Sequence, residues 1–143
     1  MGTMARPTVT EADYRRLLQV RTGLRHFLRW SEEQAGRVGL TGPQHQLLLA
    51  VKGHADPRGP TIGDVADYLA LKHHSAVGLI DRAESGDLVT RNPDRDDRRV
   101  TRLALTARAE ASLAELSVLH LEELRRLAPE MAAIWRGLDG ESG

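Results

Sequence analysis

The sequence predicts a mainly α-helical chain with a small β-wing: about six helices and one two-stranded β-hairpin. Three observations carry this. The apolar residues are mostly Leu, Ala and Val, and aromatic residues are only 3% of the chain, which favours helices over a β-sandwich. Residues 61–85 place apolar side chains at helical spacing on two successive short segments. Residues 88–91 and 99–105 are alternating, β-branched runs separated by a polar stretch with Pro93. With 143 residues, 41% of them hydrophobic and 28% charged, the chain has the length and composition of one domain with its own core.

The elements follow in order. Residues 11–35 form a long amphipathic helix with Thr10 as N-cap. Its apolar stripe is Tyr14, Leu17, Leu18, Leu24, Phe27 and Leu28, and Gly36 and Gly39 end it. Thr41 caps a second helix with Pro43 in its first turn, which stops near Gly53. HADPRGP is a loop by composition. Thr61 caps a third helix over 61–69, with Ile62, Val65, Ala66 and Leu69 on one face. Ala70 and Leu71 make a turn. A fourth helix runs from about Lys72 to Ser85, stopped by Gly86. Ala76, Ile80 and Ala83 mark its inward stripe with Leu79 beside it, leaving His73, His74, Ser75, Val77, Gly78 and Arg82 outward. The hairpin follows. Thr106 then caps a fifth helix carrying Leu113, Leu116, Leu119, His120, Leu124 and Leu127. Pro129 is expected to break it, so that a short sixth helix through Met131, Ile134, Trp135 and Leu138 ends at Gly140.

Composition excludes several functions. The chain has no cysteine, so disulfides, thiolate catalysis, thiolate zinc sites and thiol redox sensing are all absent. No apolar run approaches the roughly 20 residues that span a bilayer. The opening MGTMARPTVT lacks an apolar signal core, and Met4 is a second candidate start. A cytoplasmic location is the expectation. No phosphate-cradling glycine loop and no HExxH metal motif occurs. Ser75 beside His74 makes no triad, because neighbours on a helix point apart and no orienting acid is in view. No enzyme activity and no cofactor are expected.

Helix, turn, helix and basic hairpin together form a shape for holding duplex DNA: one helix in the major groove, arginines at phosphates or in the minor groove. Net charge is zero, with 20 basic and 20 acidic residues, but it is unevenly spread. Residues 91–102 hold Arg91, Arg95, Arg98, Arg99 and Arg102 against Asp94, Asp96 and Asp97. The start of the fourth helix offers unpaired N–H groups beside Lys72, His73, His74 and Ser75, and Arg82 follows about two turns on. These five residues, with Arg95, Arg98 and Arg99, are the candidate DNA contacts. Asp97 is expected to orient a neighbouring arginine. Histidines that meet phosphate while charged would weaken binding as pH rises through about 6–7.

Leu40-Thr41 with Gln44, Thr61 to Ala66, His74 to Val77, Asp81-Arg82, Gly86 to Val89, Asp97-Arg98-Arg99 and Leu105-Thr106 occur in an order and spacing that resembles the MarR family of winged helix-turn-helix transcription regulators. The resemblance covers about residues 11–138. It implies a single domain over 1–143, in which 11–36 and 107–138 are dimerisation helices and 41–106 the DNA-binding part. It further implies a homodimer on a palindromic operator, commonly a repressor, released by a small lipophilic or phenolic effector. The pocket for that effector is implied near His26, Phe27, Trp30 and His45. Gly78 departs from the family by giving the outward helix face no side chain there.

Other readings of single residues stand beside these. His26, His45 and His120 would need to converge to hold a metal, so a metal-gated regulator is one alternative. Phe27, Trp30 and Trp135 are first of all helix-packing anchors. His54 reads as a solvated loop residue, and Tyr68 as packing in the winged part or facing DNA. The alternative outside the regulator class is a winged protein-interaction module without DNA binding, which neutral net charge and Gly78 favour.

Overall fold

The computed structural model describes residue 2 and residues 8–138. Its elements are α1 (Glu11–Arg37), α2 (Gly42–Gly53), α3 (Ile62–Leu69), α4 (His73–Ser85), β1 (Val89–Pro93), β2 (Thr101–Leu105) and α5 (Ala107–Leu138). The described residues thus form five helices and a hairpin. The expected sixth helix is the continuation of α5, which runs through Pro129. Proline removes one hydrogen bond, to the carbonyl four residues back, but Leu, Glu, Ala, Met and Arg around it are strong helix formers and carry the helix on. The expected end at Gly140, and Met4, lie outside the described residues. No helix among the described residues is long and apolar enough to cross a membrane.

Contacts divide the chain into two units, one of residues 31–119 and one combining the chain up to Trp30 with the chain from His120 onward. The 31–119 unit holds the core. Thr41 caps α2 and Thr61 caps α3, each by a reciprocal box in which the hydroxyl accepts from the residue three on and that residue's side chain accepts from the cap N–H. Leu47, Leu48, Val65, Ile80, Leu103 and Leu116 are fully buried among them. Burying Ile80 alone contributes about 1.5–3 kcal/mol.

The hairpin is antiparallel, with Val89 opposite Leu105 and Pro93 opposite Thr101. Proline fits at the strand end, where no ladder bond needs its nitrogen. The loop before α3 adds to the sheet: Leu103 N–H donates to Pro60 C=O at 2.9 Å, and Thr61 bridges Arg102. Gly59 makes this approach possible. It has φ +90°, and a Cβ there would lie 2.1 Å from the Leu103 carbonyl oxygen.

In the other unit no described side chain is buried. Tyr14, Leu17, Leu18, Leu24 and Leu28 of α1 and Leu121, Leu124 and Trp135 of α5 are exposed. The apolar stripe expected on the first helix exists, but one chain does not cover it. Trp135, expected as a packing anchor, is among the exposed side chains.

Candidate nucleic-acid interface

The outward face of α4 is set by what its inner face buries. Ala76, Leu79, Ile80 and Ala83 point into the core. Lys72, His73, His74, Ser75 and Arg82 are exposed, and Val77 and Gly78 are half-buried. Lys72 occupies the N-cap in an extended conformation, and no side chain caps the helix. The first-turn N–H groups therefore keep their capacity for an outside acceptor. The Arg82 guanidinium lies 3.4 Å from where a Cβ on Gly78 would stand. A Cβ at 78 would make ordinary contact with Arg82 in this pose.

The wing between β1 and β2 sorts its arginines into two sets. Arg91 donates to Asp81 and, at 2.8 Å, to Glu84, which ties β1 to α4. Arg102 donates to Asp94 at 3.1 Å and to the Gly59 carbonyl at 3.1 Å. Arg58, from the loop before α3, donates to Asp56, Asp94 and Asp96. These three arginines are structural ties. Arg95 and Arg98 are exposed and make no hydrogen bond or ion pair among the described residues. Arg99 is 90% exposed at its side chain and is gripped by Asp97 from behind.

The carboxyls respond to these partners. The Arg99 guanidinium, with its own backbone N–H, holds the Asp97 carboxyl below the usual range. For Asp94, burial pushes upward, but the N–H groups of Asp97 and Asp96 and the guanidiniums of Arg102 and Arg58 prevail and lower it. The Arg58 guanidinium holds Asp56 far below the usual range.

All eight candidate DNA contacts therefore lie in the 31–119 unit, exposed, on α4 and the wing tip. Sequence reasoning did not single out Arg58 and Asp94, which sit 36 positions apart. One signal for Asp94 was present: an Asp at a strand end whose carboxylate accepts from the next two or three N–H groups is a common turn device.

The residues expected around an effector pocket fall in both units, His26, Phe27 and Trp30 in one and His45 in the other. Phe27 stacks on Trp30 with centroids 5.9 Å apart, and His120 packs edge-on to Phe27 and 4.9 Å from Trp30. His26 is exposed and lines a groove with Arg16, Leu18, Leu127, Met131 and Ile134. His45 is buried on α2, in the other unit. Among the described residues no group of three or more His, Asp or Glu is placed to hold a metal ion. His54 corrects the solvated-loop expectation. Its side chain is only 14% exposed, its Nδ1 pairs with the Tyr68 hydroxyl at 2.8 Å, and its Nε2 lies 3.6 Å from Asp64. A loop position by composition says nothing of the α3 side chains folded over it.

Comparison with known proteins places this geometry. Residues 38–100 match the family model described as MarR family. No curated protein matches the sequence. Among solved structures, AbsC, a MarR family transcriptional regulator from Streptomyces coelicolor, is similar with TM-score 0.74, 20% identity and 93% of each chain covered. RV1404 from Mycobacterium tuberculosis is similar with TM-score 0.71 and 18% identity, over 96% of this chain and 99% of that one. MepR of Staphylococcus aureus, in its complex with DNA, is similar with TM-score 0.68 and 18% identity, over 86% of this chain and 85% of that one. At these identities the likeness is one of fold. Residues 38–100 carry the match to the MarR family model, and the likeness to the solved structures is one of winged helix-turn-helix fold.

Proposed function

We propose that this chain is a sequence-specific DNA-binding transcriptional regulator, working in the cytoplasm as a homodimer and repressing from a palindromic operator. The observation that carries the reading is the division of the arginines. Arg58, Arg91 and Arg102 are used up in ion pairs that build the wing, while Arg95, Arg98 and Arg99 stand exposed beyond it. Exposed guanidiniums at a wing tip suit the negative potential of a minor groove, and the uncapped start of α4 with Lys72 to Ser75 suits phosphates and base edges in the adjacent major groove. The fold is shared with MepR, whose structure with DNA is known.

The dimer is supported by the exposed apolar side chains of α1 and α5, which a second copy of the same helices would cover. In this reading residues 11–36 and 107–138 pair the subunits and residues 41–106 hold DNA. Two α4 helices then meet half-sites about one DNA turn apart, near 34–36 Å. A small lipophilic or phenolic effector that changes this spacing would release the DNA. The family resemblance supports that step, with Phe27 and Trp30 as its candidate apolar walls and His26 and His45 as its polar handles.

Replacing Arg95, Arg98 and Arg99 together by Ala tests the reading. A DNA binder loses affinity, and its dependence of log K on log salt becomes shallower by up to about 3. A protein-interaction module is indifferent to the change.

A further inference from the structure

Beside the backbone link of β2 to the loop before α3, two side-chain ties hold the wing to the rest of its unit. One is the exposed pair of Arg91 contacts to α4. The other is a carboxylate, Asp94, only 5% exposed, whose two oxygens face different ways. Its Oδ2 accepts from the Asp96 N–H at 3.1 Å and the Asp97 N–H at 3.0 Å, closing the turn at the base of the wing loop. Its Oδ1 accepts from Arg102 Nε at 3.1 Å and from Arg58 Nη1 at 3.3 Å. Arg102 in turn donates to Gly59 C=O, and Arg58 to Asp56. One oxygen thus shapes the turn that carries Arg95, and the other fastens that turn to the loop before α3. The Asp94 N–H, donating to Val100 C=O at 2.8 Å, closes the far side of the same loop, so Arg98 is held in it too.

We propose that Asp94 is a positioning residue for DNA binding: it never touches DNA, but its two-sided grip sets where Arg95 and Arg98 stand. This rests on the DNA-binding reading above. Only a carboxylate fits the role. Every group facing Asp94 is a donor, and an amide in its place must turn its own NH₂ either to the Asp96 and Asp97 N–H groups or to the two guanidiniums. Asp94→Asn is therefore expected to keep the turn and let go of the body, or the reverse. It also makes the chain more positive by one charge, so simple attraction to DNA would rise where positioning demands a fall.

The test uses the full chain and the duplex upstream of its own gene. Four proteins are titrated at several salt concentrations: wild type, Asp94→Asn, the Arg95→Ala/Arg98→Ala pair, and the triple variant. Asp94→Asn is expected to weaken binding and to flatten the salt slope by about 1–2, as the arginine pair does. The triple variant is expected to bind no worse than the pair, because Asp94 acts only through those arginines. Amide exchange in the free proteins adds a readout without DNA: in Asp94→Asn the Asp96 and Asp97 amides exchange faster where the turn opens, or the Leu103 amide, which donates to Pro60 in the loop before α3, exchanges faster where the link to the body opens, while the α4 amides do not.

Wild-type affinity in Asp94→Asn, unchanged wing exchange, or a triple variant that suffers both losses in full would each overturn the proposal. If Asp94→Asn does not fold, Arg58→Gln cuts the more exposed half of the same link. It should show a smaller loss with the same non-additivity, and fully additive losses would overturn the proposal again. A wild-type chain that binds no duplex at any salt would overturn the DNA-binding reading itself, and this proposal with it.

Discussion

Arg99 and Asp97 form a two-pronged pair across two positions of the wing tip, Nε to Oδ1 at 3.0 Å and Nη2 to Oδ2 at 3.1 Å, and the Arg99 backbone N–H donates to the same carboxylate. The grip fixes a guanidinium that is otherwise fully in water. An exposed pair adds little to stability. Its value lies in orientation, since a pre-set arginine loses less rotamer freedom on meeting DNA. Asp97→Ala is expected to lower affinity for the native operator while leaving or raising affinity for a scrambled duplex, because net charge increases by one. The ratio of the two affinities reads this, and an unchanged ratio would show that Asp97 orients nothing that matters.

Ala70 ends α3 in the left-handed region, with φ 52° and ψ 43°, and its N–H donates back to Ala66 and Asp67. Alanine pays for that conformation with a Cβ crowding the following carbonyl. Glycine is the usual residue at such a cap. Ala70→Gly is expected to stabilise the fold by about 1 kcal/mol. Urea unfolding measures it, and a loss of stability would mean that the Ala70 methyl packs usefully in the turn.

Acid should weaken the winged part from its carboxylates. Asp64 is held low first by the Thr61 backbone N–H, Asp97 by Arg99, and Asp94 by the contacts that outweigh its burial. A carboxyl depressed in the folded state contributes stability that is present above its unfolded pKa, about 3.9, and is lost as pH falls through the lower folded value. Stability is therefore expected to be level from pH 7 to about 5 and to fall below about 4. Urea midpoints at pH 7, 5, 4 and 3 check this. Asp64→Asn should flatten part of the fall, and an undiminished fall in that variant would remove Asp64 from the cause.

Much of this fold is legible in the sequence. Thr41 and Thr61 announce their helices because a capping threonine followed three residues on by Gln44 or Asp64 is a local device. The inward stripe of α4 follows from spacing alone. The Asp97 pairing with an arginine is legible too, since its partner lies two residues away. Pro129 misleads because the penalty for proline is local, while the surrounding helix formers act over a whole segment. His54, Arg58 and Asp94 are illegible for the opposite reason. Their partners lie 14, 36 and 8 positions away, and only the folded loop brings them together.

The exposed leucines of α1 give the dimer its own test. Leu17→Glu with Leu18→Glu places two charges where a second copy would bury apolar surface. Wild type is expected to sediment as a dimer and this variant as a monomer with unchanged helix content. A variant that remains dimeric would move the interface elsewhere.

The most direct measurement is a fluorescence-anisotropy titration of the purified protein against the DNA upstream of its own gene, beside a scrambled duplex, at two salt concentrations. A regulator built on α4 and the wing arginines binds the native duplex tightly, prefers it clearly, and weakens steeply as salt rises. Equal and weak binding to both duplexes at both salts would contradict sequence-specific regulation at this site.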